Sequence, residues 1–317
     1  MIPKVSVIIP TIGRNTLIRS LESVLNQTFQ DFEIIITDDT EDKKAKKLIE
    51  PFLKDERISY FVNKKYMHGP AGNKNNGLDH IRGEYFIFLD DDDVMFDNAL
   101  ESLLEIAEKY QYKIVFANCI DNVEKEFTGK HYNKSEEVSF KDFVCGKYEG
   151  DYSMLCKTEI LESDRFYEKC WGGENLLWWK LWKKIDKGFY LHKQLMECFL
   201  ILENRVTKRS VDYKISKRTF LNYKYLLDIF ENDFKEFCPQ AYSRIAIPGI
   251  FFAKISGNWR EINRLIVKSI RINPKSFVYI VPWGVFCLIF PKKTVLFIYQ
   301  KIFNKNFKEK IKKIILK

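Results

Sequence analysis

Tyr85-Phe86-Ile87-Phe88-Leu89-Asp90-Asp91-Asp92-Asp93 sets four acids directly behind a short apolar and aromatic run. The run is strand-length, and its composition predicts a buried strand over 85–89. Adjacent carboxylates raise one another's pKa, so four in a row are costly to keep ionised. A divalent cation would relieve that repulsion, and hard cations on carboxylates are those that also hold phosphates. A run of acids is also a common solvated loop or helix start, so the flanking sequence decides.

Upstream, Val5–Ile9 is a β-branched run closed by Pro10, again a buried strand. A helix is predicted over 14–27, with Leu17, Leu21, Val24 and Leu25 on one face. Then follow a strand over 32–37 ending in Asp38-Asp39, a helix over 42–54, a strand over 58–62, and a turn leading into a helix over 70–80. Downstream the pattern predicts a helix over 97–110, a strand over 114–118 and a Trp-rich helix over 174–184. The mixed, polar stretch 119–165 reads as acceptor-side loops. After about Val206 the strand signals stop, and helices are expected over 213–234, 239–255 and 259–272, the last two a hairpin around Gly257-Asn258. Alternating strands and helices mean α/β with a largely parallel sheet. Such sheets bind ligands beyond the carboxyl ends of their strands, which here read Pro10-Thr11, Asp38-Asp39 and Asp90–Asp93.

The 317 residues hold 52 Lys+Arg and 43 Asp+Glu, a formal charge of +9. From Arg264 to Lys317 there are thirteen basic residues and one acid, Glu309, leaving a net of −3 for residues 1–263. A slightly acidic body with one basic end is not a nucleic-acid binder throughout. At 46% hydrophobic the chain is too apolar for disorder. The start, Met1-Ile2-Pro3-Lys4, predicts no secretory signal. Seven cysteines without a C-x-x-C pair read as reduced core residues of a cytoplasmic protein. No apolar run is long enough for an ordinary spanning helix.

Three further segments carry chemistry. Asp38-Asp39 can accept from a nucleobase N–H or ribose hydroxyl, or simply cap the next helix. His68–Gly77 is glycine- and asparagine-rich and opens a helix, so its N–H groups and Lys74 can meet a phosphate, or it is a plain turn. Glu174, behind Gly172-Gly173, is a helix-start carboxylate that can take a hydroxyl proton, or an acid placed there by the helix dipole.

Val-Ser-Val-Ile-Ile-Pro-Thr at 5–11, the strand ending in Asp38-Asp39, Lys74-Asn75-Asn76-Gly77, and Gly83-Glu84-Tyr85 before the Asp tetrad together resemble family 2 glycosyltransferases over roughly residues 3–206. The resemblance implies a GT-A nucleotide-sugar-binding, Rossmann-like domain that inverts the anomeric carbon, followed by a C-terminal α-helical region. It implies donor contacts from Pro10, Thr11, Arg14, Asp38, Asp39, Lys74, Asp90 and Asp91. Asp92 would hold Mn2+ or Mg2+ on the diphosphate, with His192 a secondary candidate ligand or else a strand-end polar residue. Glu174 falls on the catalytic-base position, with Gly173 where the family commonly has Glu. Lys74 stands where Arg is usual, which keeps the charge and loses the bidentate fork. Cys198-Phe199 stands where related enzymes have Tyr-Arg, so Arg205 or His192 would have to substitute.

Within the family, residues 69–79, the Asp tetrad and the Trp-rich stretch 171–182 are most similar to the branching glucosyltransferases of bacterial protein N-glycosylation. That similarity implies UDP-glucose as donor and an undecaprenyl-diphosphate-linked oligosaccharide as acceptor, on the cytoplasmic face of the inner membrane. Alternatives are another hexose or HexNAc donor in capsule or lipopolysaccharide synthesis, or a non-catalytic nucleotide-binding membrane scaffold. The expected organisation is a catalytic domain over 1–206, a helical extension over 207–272 and a basic amphipathic tail over 273–317. In that tail Ser276–Phe290 is a fifteen-residue apolar run broken by Pro282 and Gly284, and lysines follow at 292, 293, 301, 305, 308, 310, 312, 313 and 317. Such a segment suits the headgroup layer of an anionic membrane, or a helix pair packed on the protein with a solvated lysine face.

Overall fold

The computed structural model of the chain describes residues 2–130, 132–199 and 213–303. His131, Arg205 and the lysines from 305 onward lie outside the described residues. The chain divides into two compact units, residues 1–169 with 173–209, and residues 170–172 with 210–317.

The first unit runs β1 (Val5–Thr11), α1 (Leu17–Leu25), β2 (Phe32–Asp38), α2 (Lys44–Ile49), β3 (Ile58–Val62), α3 (Pro70–Leu78), β4 (Tyr85–Phe88), β5 (Val94–Met95), α4 (Ala99–Tyr110), β6 (Ile114–Asp121), β7 (Glu136–Val138), α5 (Phe140–Val144), β8 (Tyr152–Lys157), α6 (Glu174–Lys183) and β9 (Gly188–Cys198). All its described strands join one sheet in the order β3-β2-β1-β4-β8-β6-β9-β5, with β7 on β9. β3, β2, β1 and β4 are parallel, Val7 lying opposite both Ile34 and Ile87. That register brings Thr11, Asp38 and the acids after β4 to one edge, as the alternation requires.

Beyond β4 the parallel expectation is corrected. β8 is antiparallel to both β4 and β6, β9 is parallel to β6, and β5 and β7 run antiparallel to β9. The stretch 119–165 is therefore not a set of loops. It holds the end of β6, β7, α5 and β8, whose mixed burial hides the period-2 signal.

Side-chain alternation in β1 decides what covers each face. Val5, Val7 and Ile9 join Leu17, Leu21 and Val24 of α1 and Leu100, Leu103 and Ala107 of α4 in one buried cluster. Ile8 points to the other face, toward α3. A Cβ on Gly77 of that helix would lie 2.4 Å from Ile8 Cγ2, so glycine is what lets α3 press against the sheet. The seven cysteines are free and five of them are buried, as core residues should be.

The second unit holds α7 (Tyr213–Ile229), α8 (Glu231–Phe237), α9 (Pro239–Ile255), α10 (Trp259–Ile272), α11 (Phe277–Ile289) and α12 (Lys292–Phe303). One expected helix over 213–234 is thus two, broken at Phe230. α7 and α10 are tied by Arg264, whose Nη1 donates to Asp228 at 2.6 Å. The described part of the basic end is packed helix. Ile280, Gly284 and Cys287 of α11 face inward, the Trp283 indole donates to the Ile247 carbonyl at 3.0 Å, and Tyr299 stacks on Phe251. The opposite face of α11 keeps Val278, Pro282, Val285 and Ile289 in solvent, between Lys275 and Lys292-Lys293. Among the described residues no helix is long and apolar enough to cross a membrane.

Candidate active site

β1 ends at Thr11, and its hydroxyl donates to Asp91 Oδ2 at 2.6 Å while the Ile12 N–H donates to the same oxygen. Arg14, just before α1, donates from Nη1 to Asp91 Oδ1 at 2.8 Å and to Asp92 Oδ2 at 3.0 Å. Asp91 is therefore spent on tying the loop after β1 to the loop after β4. Burial pushes its carboxyl up, against the Thr11 and Arg14 contacts. Pro10, opposite Thr37 in the β1–β2 ladder, sets the edge beside them.

Asp90, Asp92 and Asp93 each offer a carboxylate oxygen, all within 4.8 Å of one another. Asp90 is exposed; Asp92 and Asp93 are buried. Asp93 accepts from the Phe199 N–H at 3.1 Å, and burial followed by repulsion from Asp90 and Asp92 pushes it up to about 7. An all-carboxylate donor set of this size fits a hard cation such as Mn2+ or Mg2+. The backbone behind the acids is pinned from α1: Arg19 donates to the Asp92 carbonyl at 2.8 Å and Ser20 to the Asp93 carbonyl at 2.7 Å. Arg19 also lies over the Phe199 ring, 3.5 Å from its centroid. Phe199 and buried Cys198 thus both support Asp93.

His192 does not join the acids. It sits on β9 with its Nδ1 3.2 Å from the Tyr190 hydroxyl, which itself donates to Asn118. Among the described residues the group placed to share a cation is Asp90, Asp92 and Asp93; His192 is not in it, and packs beside Tyr190 and Phe127.

The two acids after β2 differ. Asp38 is fully buried and accepts from the Thr40 N–H and hydroxyl and from the Tyr60 hydroxyl. Asp39 accepts from Asn63 at 2.7 Å and from the Gly69 N–H at 2.6 Å, beside His68 at 3.2 Å. Asp39 thus caps the entry to α3 from the strand edge, and burial raises its carboxyl despite those bonds. Asp38 thus builds the β2–β3 corner, and Asp39 ties that corner to the start of α3.

α3 is an asparagine ladder. Thr37 donates to Asn73 Oδ1 at 2.8 Å, Asn76 donates to Thr37 at 2.6 Å, and Asn75 exchanges two bonds with the Phe166 backbone. Those bonds fix the helix rotation that sends Lys74 inward. Its ammonium donates to Glu174 Oε1 at 2.8 Å and lies 3.3 Å from Asp90 Oδ1. Burial alone would lower the Lys74 pKa, but the two carboxylates outweigh it and hold it above the ordinary lysine value. The lysine approaches from mid-helix, not from a glycine-rich loop.

Glu174 opens α6, which is anchored by fully buried Trp182 and by Trp178 packed edge-on against Phe88 and Phe166. The arrangement therefore unites Thr11, Arg14, Asp91, Asp92, Asp90, Lys74 and Glu174 in one connected set, with Asp39 at the adjoining edge. Asp93 was read as part of the acidic run but given no role of its own, and Arg19 and Asn73 were missed. For Asp93 the fourth acid of the tetrad was the visible signal.

The glycosyl transferase family 2 profile matches residues 6–161. The GalNAc(5)-diNAcBac-PP-undecaprenol beta-1,3-glucosyltransferase of Campylobacter jejuni is 37% identical over 295 residues, 88% of this chain and 93% of that protein. The Escherichia coli UDP-Glc:alpha-D-GlcNAc-diphosphoundecaprenol beta-1,3-glucosyltransferase WfgD is 33% identical over 116 residues, 36% of this chain and 45% of that one. Among solved structures, Staphylococcus aureus TarS 1-349 in complex with UDP-GlcNAc superposes with a TM-score of 0.61 at 15% identity, covering 86% of this chain and 90% of that one. At that identity the likeness speaks for the fold alone.

Proposed function

The chain belongs to glycosyl transferase family 2 and is a glycosyltransferase of GT-A fold, and on that premise we propose that it transfers glucose from UDP-glucose, with inversion, as a branch onto a polyprenyl-diphosphate-linked oligosaccharide in protein N-glycan biosynthesis. The observation that carries the chemistry is the single lysine contact between Glu174 and Asp90, which sets a proton-accepting carboxylate beside the acid cluster. The substrates rest on the Campylobacter relative, whose likeness runs through both the catalytic unit and the helices after it.

Asp92, with Asp90 and Asp93, would hold Mn2+ or Mg2+, which supplies positive charge at the departing diphosphate. Asp39 and the Pro10-Thr11 edge receive the nucleobase, and Arg14 stands beside Asp92 where phosphate charge would come to rest. Glu174 takes the proton of the acceptor hydroxyl as its oxygen bonds to the anomeric carbon. The anomeric C–O bond to UDP breaks in the same displacement, so no covalent enzyme intermediate is needed. The Lys74 ammonium lies over the Phe88 ring, which packs edge-on against Phe166 and Trp178.

The outer face of α11 with its flanking lysines supports peripheral contact with an anionic membrane, the cytoplasmic face of a bacterial inner membrane being where a lipid-linked acceptor would be met. Incubating the purified protein with Mn2+, a panel of UDP-sugars and undecaprenyl-diphosphate-linked glycans tests the reading. One hexose added from UDP-glucose is expected; transfer from another UDP-sugar alone would move the protein to a different glycan.

A further inference from the structure

The Lys74 side chain is 7% exposed, while the Asp90 and Glu174 side chains it bridges are 52% and 42% exposed. An inward ammonium is stable only where its desolvation is offset by partners, so the position of this charge is set by α3 and the sheet. The two carboxylates are the mobile members. Each can turn into solvent, and the Glu174 carboxylate is directed by the Lys74 ammonium at 2.8 Å. The Phe88 ring centroid lies 5.5 Å from Nζ.

We propose that Lys74 is a positioning residue: one buried charge holds the Glu174 carboxylate against Asp90 and so aligns the proton acceptor with the cation-binding edge. This rests on Glu174 being the base. It differs from a donor-binding role for Lys74, because a lysine engaged with two carboxylates acts on turnover through Glu174 and leaves nucleotide affinity to the acids, Asp39 and Arg14. A carboxylate released from its partner samples other rotamers, and misplacing a reacting group by about an ångström costs on the order of 10²-fold in rate.

The test is a double-mutant cycle on the full chain with Lys74→Met, Glu174→Gln and the pair, reading kcat and, separately, UDP binding in Mn2+ by calorimetry. Lys74→Met should lower kcat by roughly 10²-fold with UDP affinity unchanged, and should add no further loss in the Glu174→Gln background. Lys74→Arg should recover most of the turnover, because it returns a cation to Glu174. A Lys74→Met enzyme that binds UDP weakly with kcat intact, or a loss that multiplies with that of Glu174→Gln, overturns the proposal for Lys74 alone. Wild-type turnover of Glu174→Gln overturns both it and the assignment of the base. Should Lys74→Met not fold, Lys74→Gln completes the same cycle with a neutral donor in place.

Discussion

Asp90, Asp91, Asp92 and Asp93 are neighbours in the chain, yet the turn after β4 sends their carboxylates to different partners. Asp90 meets Lys74, Asp91 meets Thr11 and Arg14, Asp92 meets Arg14, and Asp93 accepts from the Phe199 backbone. The tetrad announced itself in sequence as a charge problem, but which acid is free to meet a ligand is a property of partners from residues 11, 14, 74 and 199. Asp38 and Asp39 make the same point, since Tyr60 and Thr40 take the first while Asn63 and the Gly69 N–H take the second. Another carboxylate is wholly structural. Burial works against Asp79, but Lys65, Arg165 and Tyr66 hold it below the usual range. A depressed native pKa gives stability that is present above the unfolded value near 3.9 and is lost as pH falls through the native one. Asp79→Asn should therefore cost about 1 kcal/mol, a fall of roughly 2–4 °C in Tm, at pH 7. In thermal melts the difference should be full at pH 7 and shrink as pH falls below about 4 toward the lowered native pKa; an equal deficit at pH 7 and pH 3 would show that the charge is not its source.

At the scale of elements, the parallel half of the sheet was legible because β1, β2 and β4 are runs buried on both faces, with caps and acids at their ends. β7 and β8 were not, because Glu136–Val138 is short and polar and Tyr152–Lys157 is half-buried. Their pairing depends on distant strands, which local pattern does not encode. The helix α3 was legible as a turn and helix, but not as the carrier of an inward lysine. Its polar face is buried against Thr37, Thr11 and Phe166 by side-chain amides, an arrangement that helical hydrophobic periodicity misses. The closeness of α3 to β1 depends on Gly77. Gly77→Ala would set a methyl 2.4 Å from Ile8 Cγ2 and 3.3 Å from Thr37 Cγ2, both on buried residues. Overpacking of this kind costs about 1–3 kcal/mol, and the shift of α3 should lower transferase activity more than it lowers Tm would suggest. Unchanged urea unfolding and activity would mean that α3 can move without consequence.

Across the whole molecule, a formal charge of +9 resolves into a slightly acidic catalytic unit and a basic end. The described part of that end is not a loose tail: α11 buries Ile280, Gly284 and Cys287 against its own unit and leaves an apolar stripe outside. Val278 and Ile289 are 75% and 71% exposed. Removing the helices would therefore strip a core as well as a surface, and substitution on the stripe is the cleaner probe. Val278→Asp, Val285→Asp and Ile289→Asp together should reduce sedimentation with vesicles rich in anionic lipid while far-UV circular dichroism stays unchanged. Undiminished sedimentation would place the membrane contact on another surface. The claim on which the rest depends is the division of labour between the acids after β4 and the carboxylate at the head of α6. Its most direct test compares Asp92→Ala and Glu174→Ala for glucose transfer and for UDP binding in Mn2+. Glu174→Ala should bind UDP as the unmodified enzyme does and lose transfer by about 10²- to 10⁴-fold, whereas Asp92→Ala should lose both. Full transfer by Glu174→Ala, or unimpaired metal-dependent UDP binding by Asp92→Ala, would contradict it.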